Sequence, residues 1–231
     1  MALNDTPFRR LKYGLLGKIP GDKGRYYRRK HLRLLAPEAR EQFNAAIAKA
    51  DGGLCIDLGA NVGTYTRAMA LHAGKVVAFE PDPWTVQRLR DNCSDLENVE
   101  IMEAAAGTED GTIELFRTPD FDADPEQQSL SSSVISSKLN VDSENGITVP
   151  AINCIRFLRE LDGKVAVLKI DIEGAEVPLL ETLFDDPVLQ KIDNIFVETH
   201  ESRVPDLSAR SEALRRRARK IPHPAINMNW I

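Results

Sequence analysis

The sequence predicts an α/β fold built on a mainly parallel sheet with helices on both faces. Three observations carry this reading. From residue 54 onward, short apolar or β-branched runs alternate with helical ones, a pattern that lays parallel strands side by side. The first run leads into a glycine-bearing turn, Asp57-Leu58-Gly59-Ala60-Asn61-Val62-Gly63. The second ends on an acid and a proline, Phe79-Glu80-Pro81. At 231 residues the chain is long for one minimal domain and short for two, so one elaborated domain is expected.

Residues 1–36 are basic and punctuated by Gly14, Gly17, Pro20, Gly21 and Gly24, so they read as an irregular arm with one short helix over 25–35. Pro37 suits the first position of a helix running to residue 50, which Gly52 and Gly53 stop. Strands are expected over 54–58, 75–80 and 99–103, with helices over 64–73 and 83–92 between them. Residues 112–116 read as an edge strand after the turn Glu109-Asp110-Gly111. The polar stretch 118–146 has no period and is long for a passive connection, which suggests a lid. Beyond it come strands over 147–152, 165–171, 194–199 and 226–231, and helices over 155–161, 175–184 and 207–220. The expected organisation is therefore a basic arm and helix over 1–50 packed on a domain over 51–231.

Composition narrows the function classes. A net charge of −5 gives no overall reason to expect nucleic acid. The charge is uneven, however: residues 1–33 hold ten Lys and Arg against Asp5 and Asp22, and a second basic run covers 215–220. Cys55, Cys93 and Cys154 lack the spacing of a zinc or redox site and read as small core residues. Reduced thiols and the lack of an apolar stretch behind the N-terminal charges fit a cytoplasmic protein. No run reaches the ~18–20 apolar residues of a membrane helix, so no membrane partner is expected.

The turn at 57–63 sits where open α/β sheets bind ligands, at a strand's carboxyl end. Gly59 and Gly63 allow close backbone approach. A dinucleotide site has G-x-G-x-x-G and receives a diphosphate; here the spacing is G-x-N-x-G, with Asn61 between the glycines. Asp57, two positions earlier, would repel a diphosphate and suits the ammonium of S-adenosylmethionine (SAM). Glu80, followed by Pro81, is placed to accept ribose hydroxyls, and Glu103 with Ala104 to receive an adenine. In Lys169-Ile170-Asp171-Ile172-Glu173-Gly174-Ala175-Glu176, strand alternation points Lys169 and Asp171 to one face, with Asp171 and Glu173 beside the cofactor pocket. Glu176 equally suits the first turn of a helix, where its charge answers the helix dipole. Glu198 and His200 share a face at the end of the next strand.

Together these segments resemble the FkbM-type family of SAM-dependent methyltransferases over approximately residues 53–200. The Ser129–133 stretch looks like the serine-containing loop of that family. The resemblance implies a class I methyltransferase fold, SAM as methyl donor, and O-methylation of a hydroxyl on a sugar or secondary metabolite. Only eleven residues follow Lys220, so the family's final strand pair is expected to be shortened, with consequences for the sheet edge or an oligomer contact there; a homo-oligomer is compatible with this.

A hydroxyl acceptor must be aligned and must lose its proton. His200, titrating near the operating pH, is the first candidate base, with Asp171 or Glu173 the second. Asp171, Glu198 and His200 also form a donor set for Mg²⁺ or Mn²⁺, although pairing with Lys169 or substrate is the favoured use of such carboxylates and no metal is expected. The partner expected is a small-molecule or glycan acceptor. A nucleic-acid methyltransferase is the rival suggested by the basic segments; the fourth strand, however, ends in Asp171-Ile172-Glu173-Gly174 rather than an Asn/Asp-Pro-Pro-aromatic motif. A SAM-binding protein without turnover is the other rival.

Overall fold

The computed structural model describes residues 5–119, 121, 132–134, 141–142, 146–201, 204 and 207–230. The lid expected over 118–146 falls mostly outside these residues.

The N-terminal region differs from the expected irregular arm. Helix α1 (Pro7–Leu16) starts behind Thr6, whose hydroxyl accepts from the Arg9 amide, with proline in its first turn. Helix α2 (Asp22–Ala48) is continuous and carries Pro37 inside it rather than at its start. Proline removes one backbone donor, at a cost that depends on where the orphaned carbonyl points. Here both Pro37 and Arg33, four residues earlier, are exposed, so water can satisfy the Arg33 carbonyl. Meanwhile Leu34, Ala36, Ala39, Phe43, Ala46 and Ile47 form one buried stripe that runs past the proline. Burial of that stripe outweighs the local penalty.

The main sheet holds β1 (Leu54–Leu58), β2 (Lys75–Phe79), β3 (Val99–Met102), β7 (Val165–Ile170), β8 (Ile192–Glu198) and β9 (Ala225–Trp230) in the order β3-β2-β1-β7-β8-β9. Every neighbouring pair is parallel. The order reverses between β1 and β7, which places a crevice at their carboxyl ends. Strand alternation sends Val76 and Ala78 to one face and Val77 and Phe79 to the other. The first face is covered by α2, α3 (Thr64–Ala70) and α4 (Pro83–Asn92), the second by α5 (Cys154–Glu160), α6 (Glu176–Asp185) and α7 (Ser208–Ala218). The expected parallel sheet with helices on both faces is thus present, with β9 as the single described strand beyond β8. The three cysteines are buried and free.

Two strands expected singly belong instead to a second sheet. The strands β4 (Ala105–Gly107), β5 (Gly111–Phe116) and β6 (Gly146–Asn153) pair in the order β4-β6-β5 around Ala105, Leu115 and Val149. Strand β4 was not anticipated, because three small residues carry no β-branched signal. This sheet brings Leu115 and Ala104–106 over the crevice.

Candidate active site

Two loops meet at the crevice. After β1, the amides of Gly59 and Ala60 both donate to the Phe79 carbonyl, at 3.0 and 2.9 Å, folding the turn back over β2. A Cβ on Gly59 would stand 1.8 Å from the Asp171 carbonyl oxygen, and Gly59 has φ +79°; only glycine permits this crossing. Asn61 adopts φ 48°, and its amide donates to Glu80 at 2.9 Å. Glu80 is buried, with its other oxygen accepting from the Asp82 amide at 3.1 Å. Burial pushes the Glu80 carboxyl up to about 7, against the pull of those two amides. Gly59, Asn61, Glu80, Pro81 and Ala104 line one cleft, whose far side is formed by Asp171 and Glu173.

Three expected cofactor contacts lie elsewhere. Asp57 is fully buried beneath the cleft, with Thr66 donating to one oxygen at 2.7 Å and Lys169 to the other at 3.0 Å. Its ammonium partner is therefore the chain's own lysine. Burial would lower the Lys169 ammonium, but Asp57 and Asp171 outweigh it and raise it. Lys169 also donates to the Gly59 carbonyl at 3.1 Å and thereby ties the turn to β7. Gly63 begins α3 in the left-handed region and packs on Leu89 and Cys93, so its role is helix packing. Glu103 is turned out to Arg90 at 2.9 Å, and both side chains are well exposed; Ala104, Ala105 and Ala106 line the cleft at this strand end instead.

The β7–α6 turn builds the second half. Glu173 has φ 56° and Gly174 φ 117°. Glu176, almost wholly buried, receives the Ile172 amide at 3.0 Å and the Gly174 amide at 2.9 Å, then accepts His200 Nδ1 at 2.9 Å. Its carboxylate organises the turn and aims the imidazole, a role the helix-dipole reading had missed. Ser133 contributes as well, its hydroxyl donating to the Glu173 carbonyl at 2.6 Å. His200 Nε2 lies 3.2 Å from Glu173, 3.6 Å from Glu198 and 3.8 Å from Asp171.

Burial alone would lower the His200 pKa, yet Glu176, Glu173 and Asp171 overcome it and raise it to about 10. The surrounding carboxylates thus favour the imidazolium form of His200, which counts against the role of free base expected for it. Glu198 is displaced well above the ordinary carboxylate range, first by burial and then by Asp171. Asp171, Glu198 and His200 can each bring one ligand atom within 4.8 Å of the others, and Glu176 on the remote ring nitrogen is the arrangement that orients a metal-binding histidine. These three residues could hold a divalent ion once His200 lost its proton.

A parallel sheet with this strand order, a glycine-crossed crevice and an acid at the tip of β2 make a Rossmann-like ligand crevice. The model of the methyltransferase FkbM domain matches residues 57–218, and the chain belongs to that family. It is 27% identical over 168 residues to a protein named Methyltransferase 1 from Beauveria bassiana, an alignment covering 66% of this chain and 67% of that protein. Among solved structures, an rRNA methylase from Streptococcus thermophilus superposes with a TM-score of 0.43 at 10% identity, covering 79% of this chain and 80% of that one.

Proposed function

We propose that this methyltransferase uses S-adenosylmethionine to methylate a hydroxyl oxygen of a small-molecule or glycan acceptor. The observation that carries the reading is the junction of the cleft under Gly59, Asn61 and Glu80 with the cluster of Asp171, Glu173, Glu198 and His200. The cleft fits the donor: Glu80 presents a buried carboxylate to a ribose, Ala104 and Ala105 leave room for a flat base, and Gly59 keeps the floor free of a side chain.

SAM supplies a methyl group already activated on a sulfonium. The chain has to hold the acceptor oxygen in line with it and take up the hydroxyl proton, contributions of ~7–11 kcal/mol and ~10²–10⁴-fold in rate. Glu198 is the residue best suited to receive that proton, because its raised pKa brings it nearer neutrality than an ordinary carboxylate. His200, cationic and fixed by Glu176, keeps Asp171, Glu173 and Glu198 together and positions the base. Amino-methylation of nucleic acid has less support, since β7 runs into Asp171-Ile172-Glu173-Gly174.

Calorimetry on the purified chain with S-adenosylhomocysteine and with NAD tests the reading. Stoichiometric binding of the first and none of the second is expected. Binding of NAD alone would overturn the site assignment.

A further inference from the structure

A second cavity, of about 340 Å³, borders the His200 cluster. Its floor includes Glu198 and His200, the same residues that adjoin Asp171 and Glu173 in the first cleft. Its wall is helix α2, which contributes Arg25, Arg28, Arg29, Arg33 and Arg40. Spacings of three, four and seven residues put these side chains on one helix face.

Four of the five arginines are not accounted for by internal pairing. Arg25 is bound to Asp22. Among the described residues Arg28, Arg29, Arg33 and Arg40 make no ion pair, and the Arg28 Nε is buried without a hydrogen-bond partner. Glu201, the other acid of the floor, is held by Arg215 of α7 at 3.2 Å. The cavity is therefore polarised, with acids and His200 on the floor and guanidinium groups on the wall. A basic helix face that was merely solvated would not need to converge on the carboxylate cluster of the site.

We propose that this cavity is the acceptor site and that the acceptor is an acid: a small hydroxylated molecule whose phosphate or carboxylate is gripped by the α2 arginines while its hydroxyl meets Glu198. Arginine's planar fork binds both anions in two-point contacts. The volume fits a molecule the size of a monosaccharide phosphate. A neutral polyol would satisfy the floor and leave the wall unanswered. The inference rests on the hydroxyl-methylating reading for its chemistry, and adds the charge of the substrate and the element that selects it.

The test is calorimetry on the full chain loaded with S-adenosylhomocysteine, using matched probes: glucose 6-phosphate against glucose, and 4-hydroxybenzoate against 4-hydroxybenzamide. At least one acid should bind ~10-fold or more tightly than its neutral partner, with the preference shrinking as salt is raised. Arg29→Gln with Arg33→Gln, both exposed side chains, should abolish the preference while leaving S-adenosylhomocysteine affinity unchanged. Equal or undetectable binding of acid and neutral partner in both pairs overturns the proposal, as does a preference that survives the double variant. A short oligoribonucleotide that binds more tightly than both acids, and loses affinity in the variant, overturns it in favour of nucleic acid. Failure of S-adenosylhomocysteine itself to bind would count against the donor site, a separate outcome from loss of the acid preference.

Discussion

His200 is enclosed by four carboxylates, and the consequences for stability have a definite sign. Its folded pKa, near 10, lies above the ordinary histidine value of 6.5, so the stabilisation is complete below that ordinary value and disappears as pH climbs through about 10. The upward shift of Glu198 acts in the same direction, since the folded state again binds more protons than the unfolded one. Urea midpoints should therefore decline from pH 6.5 to 10, and His200→Gln should show a flatter profile; parallel profiles would place the histidine outside the proton balance. Because the imidazolium already supplies a positive charge to this cluster, methyl transfer should survive EDTA. Inactivation by EDTA that Mn²⁺ reverses would make Asp171, Glu198 and His200 ligands. On the donor side, Glu80→Ala should weaken S-adenosylhomocysteine by about 10- to 150-fold, the equivalent of ~1.5–3 kcal/mol for charge-assisted hydrogen bonds. An unchanged affinity would show that Glu80 serves only the Asn61 and Asp82 amides. Residue types and positions in this site were legible in the sequence, whereas pairings were not. Asp57 and Lys169 stand 112 residues apart, and nothing local marks Asp57 as already neutralised.

Helix α2 shows where local signals mislead. Pro37 has the form of a helix start, and the glycines before it suggest irregularity, yet the buried stripe from Leu34 to Ile47 continues through the proline. Tertiary packing overrode a strong local preference. Pro37→Ala should restore the amide missing from the helix and raise stability by about 1–2 kcal/mol, read from urea melts; a loss would mean that restriction of the unfolded chain by proline matters more. The turn after β1 gives the opposite lesson. Its glycine spacing was legible because close approach of two chain segments admits no other residue, and Gly59→Ala should accordingly impair folding itself. A normal circular dichroism melt for that variant would show that the Asp171 carbonyl can move aside.

For the molecule as a whole, the strand–helix alternation was readable because each buried strand is short and apolar and is followed by a helix of different period. The second sheet and the mode of attachment of the N-terminal region were not, since both depend on contacts distant in sequence. The main tie is aromatic: Phe43 of α2 meets Phe196 at 5.3 Å, Trp230 at 4.6 Å and Tyr65 at 5.7 Å between ring centroids. Phe43→Ala should cost about 3–5 kcal/mol in urea unfolding, and a cost under ~1 kcal/mol would mean that the helix rests only loosely on the sheet. Among the described residues no helix is long and apolar enough to cross a membrane. The family match begins at Asp57, whereas α2 ends at Ala48, so the wall of arginines lies upstream of the shared domain. On the acceptor-site proposal, the charge preference for the acceptor is written upstream of the donor site, while Glu198 and His200 stay within the shared domain. A lineage could exchange one helix and turn to uncharged acceptors while keeping every residue that handles the methyl group, and relatives that share the domain but not the helix would diversify along that seam.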